Sequence, residues 1–472
     1  MAPLATKADL LAELRGVLGP AGCLQGADMP ARNRTDWSFL PPADPLAVLR
    51  PASTSEVVAI LRHCHAQGIQ VTPQGGMTGL CGGARPLDGG VALSLERMSG
   101  VEAIDPHGMT MTVLAGTPLE TIQKAAAEQG LFFPLDLGAR GSCTIGGNIA
   151  TNAGGNRVIR YGMTRDLVLG LEVVLPDGTV LPMLNKMIKN NAGYDLKQLF
   201  IGAEGTLGVV TRAVLRLYPQ PGCTSAALCV ARDYDAVLAV LAAARQRLGP
   251  LLSAFEVMWS DYWLQATTRV PGVRAPVEIA GGSHAILIEM QGLDHVIDGA
   301  RFESLLEDLM EKDLVQDGAV AQSLGDIGAF WATRDAAAEF AHPTVIGPHI
   351  SFDVGLPVSQ MDAFAARAKA ALADQIGCQS VYYGHVGDGN LHVVAWRPGA
   401  DPQPLPEASR IVYGIIGEMK GTVSAEHGIG TLKKPYLPLS RGPAEMDLMR
   451  HMKAALDPQD LMNPTKIFDG SP

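Results

Sequence analysis

Cysteine is scarce in this 472-residue chain: seven residues, at 23, 64, 81, 143, 223, 229 and 378, with no Cys-x-x-Cys pair among them. That spacing disfavours a zinc ribbon, iron–sulfur ligation within the chain and a disulfide framework, and a reducing cytoplasm fits best. Basic runs are also missing. Lys plus Arg number 37 against 48 Asp plus Glu, a net charge of −11, so nucleic acid is not an expected partner. No apolar run approaches the ~20 residues that a spanning helix needs, which leaves peripheral membrane contact open. Residues Met1 to Leu18 read as a short amphipathic helix carrying Asp9 and Glu13, unlike a secretory or mitochondrial leader. No internal repeat or low-complexity segment is present. A Rossmann fingerprint is absent as well, because the first glycine cluster runs on too long to open a helix.

Hydrophobic residues make up 47% of the chain, enough for a large core in two or three domains. Residues 1–45 form a helical preface ending near Pro41-Pro42. Short strands follow at Ala47 to Arg50, Ile69 to Pro73, Met111 to Val113 and Val168 to Val174, with a helix from Ser55 to Gln67 capped by Thr54 or Ser55. Pro176-Asp177-Gly178-Thr179 marks a hairpin turn. Prolines 219 and 221 suggest a boundary. Beyond it, strands at Ala226 to Val230, Ala254 to Met258 and Ala285 to Glu289 alternate with helices at Asp235 to Leu248 and Asp298 to Lys312. The expected result is a sheet covered on one face. The class is α+β, divided as 1–45, 46–221, 222–425 and 426–472.

Three segments suit a large anionic cofactor. In Gln74-Gly75-Gly76-Met77-Thr78-Gly79-Leu80-Cys81-Gly82-Gly83, successive backbone N–H groups can turn toward one pyrophosphate without interference from Cβ atoms. The stretch from Pro134 to Gly155 is small and glycine-rich, and lets backbone lie against a flat ligand. Ser142, Thr151 and Asn152 offer polar contacts there. The third segment, Gly202 to Thr211, passes from glycine into a strand.

The most chemically loaded segments are Tyr383 to His392 and Ser424 to Gly430. His385 and His392 are seven apart, and Gly387-Asp388-Gly389-Asn390 between them calls for a tight turn between strands rather than a helix. With Glu426 they make a two-His, one-carboxylate set that leaves coordination positions open. Zn²⁺ suits it, and Mn²⁺ or Fe²⁺ would accept it. His427 would point away from its neighbour in an extended segment, and its imidazole is suited to take a proton from a C2 hydroxyl. Asn390 is a candidate contact for the hydroxyl or carboxylate. His63-Cys64-His65 is a decoy, because helical neighbours one and two apart face different ways.

Asn152-Ala153-Gly154-Gly155-Asn156-Arg157, Arg160-Tyr161-Gly162 and Gly202-Ala203-Glu204-Gly205-Thr206-Leu207-Gly208 resemble the D-2-hydroxyacid dehydrogenase branch of the vanillyl-alcohol oxidase / p-cresol methylhydroxylase flavoproteins, from Thr35-Asp36-Trp37 to Lys466. The resemblance implies an FAD-binding domain of two subdomains (residues 46–221), then an α+β substrate domain with an antiparallel sheet (222–425) and a C-terminal segment over the flavin (426–472). It implies FAD contacts at Gly75, Gly76, Met77, Thr78, Gly79 and Leu80. Further contacts are expected at Pro134, Leu137, Gly138, Ala139, Ser142, Cys143, Gly146, Gly147, Ala150, Thr151, Asn152, Ala153 and Gly155. The last group is Glu204, Gly205, Gly208, Val210 and Asn463. The first loop carries no histidine, so FAD is expected to be non-covalent.

Within that branch, metal ligands are expected at His385, His392 and Glu426, and the base at His427, with the C2 hydride passing to flavin N5. Phe330-Trp331-Ala332-Thr333-Arg334-Asp335 resembles the segment whose arginine holds the substrate carboxylate. The chain departs from 2-hydroxyglutarate enzymes at Ala338 and Ser351, where threonine and lysine are usual. D-lactate or another D-2-hydroxy acid therefore stays in play, and His349 is a candidate to compensate. Expected electron acceptors are a quinone, an electron-transfer flavoprotein or a cytochrome. The alternative is a glycolate oxidase-type subunit with separate iron–sulfur partner chains. A homodimer is compatible with the sequence.

Overall fold

The computed structural model describes residues 7–469. The start of the expected N-terminal helix lies outside them, and the described part runs Lys7–Leu18. The chain divides into two compact units. Of the described residues, one comprises those up to Gly155, Gly162–Gln220 and those from Glu426 onward; the other is Asn156–Tyr161 with Pro221–Ala425.

The first unit holds two larger sheets. In the four-stranded one, Cys23–Leu24, Ala47–Leu49, Val91–Ser94 and Val71–Gln74 lie in that order, with the last three parallel. In the five-stranded one, Val101–Asp105, Thr110–Leu114, Val209–Arg216, Val168–Val174 and Val180–Met183 are antiparallel throughout. The turn around Asp177 joins the last hairpin as its residues predict.

The helix Thr54–Gln67 buries Val57, Ile60, Leu61 and Cys64 on one stripe. Its N-cap is Ser53, not Thr54 or Ser55. Three hydroxyl residues in a row can all cap, and the backbone decides. Only Ser53 takes the extended conformation (φ −148°), and its Oγ accepts the Glu56 N–H at 3.2 Å. The Glu56 carboxylate in turn accepts the Ala52 N–H at 2.7 Å.

The second unit is built on one seven-stranded antiparallel sheet. Its order is Asp317–Val320, Cys223–Ala231, His284–Gly292, Leu252–Trp259, Gln379–Gly384, Asn390–Trp396 and Ile350–Gly355. The sheet is covered on both faces, not on one as the alternation suggested. Tyr234–Leu248 and His295–Glu311 pack on one face. Ser260–Arg269 and Leu324–Asp335 bring Tyr262, Trp263 and Phe330 onto the other, against Ala226, Leu228, Met258 and Leu287. That is why Leu252–Trp259 and His284–Gly292 are buried along their whole lengths.

Ser53→Ala should cost about 1 kcal/mol, read as a lower urea midpoint with an unchanged slope. Ser55→Ala should cost clearly less; equal losses would contradict the cap assignment.

Candidate active site

Alternation along the strands gathers the polar groups of the second unit on one face. Glu256 shares its strand face with Ala254 and Met258. Met258 is opposite Tyr383, Tyr383 opposite His392, and His392 opposite Asp353. Asn390 lies two residues before His392, on the same face. The helix Leu324–Asp335 covers this face and delivers Arg334 from its last turn. The turn at Val386–Asp388, closed by Gly389 (φ 91°), joins the two histidine-bearing strand ends as a hairpin.

Here Glu256, Arg334 and His385 form a closed buried triangle. Glu256 Oε2 accepts from Arg334 Nε at 2.8 Å, and its Oε1 is 2.7 Å from His385 Nδ1. Arg334 Nη2 is 2.8 Å from His385 Nε2. A carboxylate only accepts and a guanidinium only donates. His385 is therefore the neutral tautomer with its proton on Nδ1 and a lone pair on Nε2. Burial alone would raise the Glu256 carboxyl, but His385 and Arg334 outweigh it and bring it to about 2. Burial would lower Arg334, and Glu256 reverses that and raises it. The Arg334 guanidinium also lies 5.3 Å over the Tyr383 ring, and Tyr383 stacks on Tyr262 at 4.4 Å.

Asp353, fully buried, is the second organising carboxylate. Its Oδ1 accepts from Asn390 Nδ2 at 2.7 Å, and its Oδ2 accepts from Ser424 Oγ at 3.2 Å and from the Ala425 N–H at 3.1 Å. Asn390 Nδ2 also donates to Val354 O at 3.1 Å. Asn390 Oδ1 is left buried with no partner among the described residues. Ser351 shares Asp353's face but is exposed, as is Ala338. His349 Nδ1 is 3.0 Å from Gly347 O.

The first unit brings its glycine segments together. A Cβ on Gly76 would stand 2.1 Å from Ser142 O, and one on Gly75 would stand 2.5 Å from Thr144 Oγ1. Gly155 (φ 114°) would meet Asp136 O at 2.1 Å. Its N–H donates to Glu426 Oε1 at 2.7 Å. Ser142 and Cys143 sit against the first loop, Gly146 and Gly147 start the helix Ile145–Thr151, and Asn152 closes it in a left-handed conformation. Asn152 Oδ1 already accepts the Arg165 N–H at 2.9 Å, and Thr151 Oγ1 donates to Gly147 O at 3.1 Å.

Glu204 turns toward the C-terminal segment. Its two oxygens accept the N–H groups of Ile429 and Gly430 at 2.7 and 2.8 Å. Asn463 Nδ2 donates to Gly83 O and Glu204 O at 2.9 and 2.7 Å, while its Oδ1 has no partner among the described residues. Gly208 and Val210 lie at and just inside the strand that starts at Val209. Met77 is buried with φ 62°, and burial pushes the Cys143 thiol upward. A backbone cradle that any Cβ would fill, beside the orphaned acceptors Asn463 Oδ1 and Thr144 Oγ1, fits a large ligand with its own N–H and O–H donors, as FAD is.

Two family models match the chain. One is described as an FAD binding domain and covers residues 45–183; the other, FAD linked oxidases, C-terminal domain, covers 220–467. The chain belongs to the FAD-linked oxidases. It is an FAD-dependent oxidoreductase with the D-2-hydroxyacid dehydrogenase family resemblance its motifs carry. It is 40% identical over 442 residues to D-2-hydroxyglutarate dehydrogenase of Xanthomonas citri pv. viticola, covering 92% of this chain and 91% of that one. It is 39% identical to mitochondrial D-2-hydroxyglutarate dehydrogenase of Bos taurus, covering 92% and 78%. Among solved structures, p-cresol methylhydroxylase with substrate bound aligns with a TM-score of 0.79 at 18% identity, covering 98% of both chains. Alkyldihydroxyacetonephosphate synthase aligns at 0.75 and 18%, covering 98% and 86%. These likenesses establish the p-cresol methylhydroxylase-type α+β fold.

Sequence reasoning overlooked Glu256 and Asp353. The signal was available, since each is a lone acid inside an otherwise apolar strand, at Ala254 to Met258 and Phe352 to Val354. Such acids are almost never buried unless paired. Gly76→Val should abolish FAD retention, with the purified protein lacking the flavin absorbance bands. A yellow, fully loaded variant would contradict the cradle.

Proposed function

We propose that the protein oxidises a D-2-hydroxy acid of the lactate or 2-hydroxyglutarate class to the 2-oxo acid. The observation that carries this reading is the single sheet face where Arg334, His392, Asp353 and Asn390 meet a buried, unpartnered amide oxygen. A buried acceptor with no donor calls for an O–H or N–H from a ligand. A hydroxy acid supplies that donor together with a carboxylate for the guanidinium.

In this reading Arg334 holds the C1 carboxylate and Asn390 Oδ1 accepts from the C2 hydroxyl. His385, His392 and Glu426 hold a divalent cation, zinc by donor type, with Asp353 opposite His392 in the strand register. When bound, the cation acidifies the hydroxyl. Chain continuity supports this set: Ala425 is pinned to Asp353 by its N–H, and Glu426 and His427 are the next two residues. Oxygen and nitrogen donors on buried and half-buried side chains suit such an ion. His427 takes the hydroxyl proton. FAD, held non-covalently by the two glycine segments with Asn463, supplies the acceptor for the C2 hydride. Ala338 and Ser351 provide no cation for a second carboxylate, which favours a substrate with one carboxylate. The relatives' names keep the five-carbon diacid in the class.

Electrons leave to a quinone, an electron-transfer flavoprotein or a cytochrome. No disulfide joins the seven cysteines, all of which lie among the described residues, which fits a reducing compartment such as the cytoplasm. Among the described residues no helix is long and apolar enough to cross a membrane.

His427→Ala should leave FAD bound yet slow substrate bleaching of the flavin by at least about 100-fold; bleaching at the wild-type rate would remove His427 from the proton transfer. Dialysis against a chelator should abolish turnover, and added Zn²⁺ or Mn²⁺ should restore it. Undiminished turnover by demonstrably metal-free protein would eliminate the cation.

A further inference from the structure

We infer that Lys466 supplies the positive charge for the pyrophosphate of bound FAD. This rests on the reading that the glycine segments hold FAD, and it names the cation that the cradle itself lacks. The first glycine segment, Gln74 to Gly83, contains no charged residue. Its backbone N–H groups offer dipoles to a phosphate. A doubly anionic pyrophosphate in an acidic protein also calls for a counter-charge.

Residues 463–467 are laid across the end of that loop. Asn463 Nδ2 donates to Gly83 O at 2.9 Å, and the Asn463 N–H donates to Val71 O at 2.8 Å. Four residues on, the Ile467 N–H donates to Gly430 O at 3.0 Å. Gly430 in turn lies so close to the loop that a Cβ on it would stand 2.2 Å from Cys81 O. Lys466 is thus carried between two anchors on the glycine loop. The backbone that carries it is strained. Asn463, Thr465 and Ile467 have φ of 45°, 68° and 66°, and the last two are β-branched, for which the left-handed region is an outlier. Strain of this kind persists where the surroundings fix a functional group in place.

Lys466 is 3% exposed, and among the described residues no hydrogen bond or ion pair reaches its Nζ. The charged groups around it are occupied elsewhere. Arg85 Nε donates to Pro41 O at 2.6 Å, and Lys434 pairs with Asp469. Asp36 accepts the Ser38 and Ala84 N–H groups, each at 3.2 Å, and Glu204 accepts those of Ile429 and Gly430. Burial, then Arg85, pulls the Lys466 ammonium down to about 8, and Asp36 and Glu204 offset only part of this. A lysine is almost never buried without a partner, and a phosphate oxygen is the partner that this position can meet. Asn463 Oδ1, three residues earlier, is a buried acceptor with no donor among the described residues. One short segment therefore offers both a donor and an acceptor, and FAD carries phosphate oxygens for the first and hydroxyl groups for the second.

The test uses full-length holoprotein as wild type, K466M, K466Q and K434M. FAD release on dilution is followed by the fluorescence of free FAD, which gives Kd. The flavin midpoint potential is measured with FAD in excess. K466M and K466Q should each weaken FAD binding roughly 10- to 100-fold, the worth of one charge-assisted hydrogen bond. Their midpoint potentials should match wild type, because the pyrophosphate carries the same charge in oxidised and reduced FAD. K434M removes a nearby cation that already has a surface partner, and its Kd should stay within about threefold of wild type.

A wild-type Kd in the Lys466 variants would overturn the inference. So would an equal loss in K434M, which would mark a general effect of charge. A shifted midpoint potential in K466M would put the lysine against the isoalloxazine and overturn the pyrophosphate assignment. If K466M does not fold, K466Q, which keeps a polar end, decides alone. A wild-type protein that purifies without flavin and takes up no added FAD would instead overturn the reading of the glycine segments, and this inference with it.

Discussion

A carboxylate cannot stay ionised inside a sheet without partners, and the second unit places two of them on one face. Glu256 is neutralised by Arg334 and oriented against His385. Asp353 accepts from Asn390, Ser424 and the Ala425 backbone. Each acid thus determines where its neighbours point. Arg334 is turned by Glu256, and Asn390 by Asp353, which leaves the Asn390 amide oxygen buried with no donor among the described residues. The chain just before Glu426 and His427 is held by the same Asp353. Buried charge, costly in itself, is what gives this face its geometry.

The first unit solves a different problem with backbone. Its cofactor segments approach so closely that Gly75, Gly76 and Gly155 have no room for a side chain. Glu204 then collects the Ile429 and Gly430 N–H groups, and Asn463 bridges the Gly83 and Glu204 carbonyls. The C-terminal segment is thereby stitched to the glycine loops by hydrogen bonds rather than by apolar packing. Glu204 pays part of its cost in desolvation, which raises its carboxyl despite both N–H donors.

Much of this was legible from residue patterns. The hairpin carrying His385 and His392 followed from the Gly387–Asn390 turn, and the strands of the substrate unit followed from their apolar runs. The decoy His63-Cys64-His65 lies in a helix as expected, with His63 near Glu13 and His65 near Gln459. The second covering layer of the sheet was not legible. In Ser260–Arg269 the buried Tyr262, Trp263 and Ala266 keep helical spacing over little more than one turn, too short a stretch to stand out between strands. Glu256 and Asp353 escaped because pairing across distant segments leaves no local trace. Arg334 is 78 positions from Glu256, and His385 is 129.

A shared fold does not choose a reaction, and p-cresol methylhydroxylase and alkyldihydroxyacetonephosphate synthase both align with this chain. The hydroxy-acid reading proposed above rests instead on this chain's own paired-carboxylate face. The most direct measurement is anaerobic mixing of the purified flavoprotein with matched D- and L-2-hydroxy acids while the flavin absorbance is followed. The account predicts rapid, complete bleaching by at least one D-acid and none by its L-enantiomer. A flavin that stays oxidised with every D-2-hydroxy acid, or bleaches equally with both enantiomers, would contradict it.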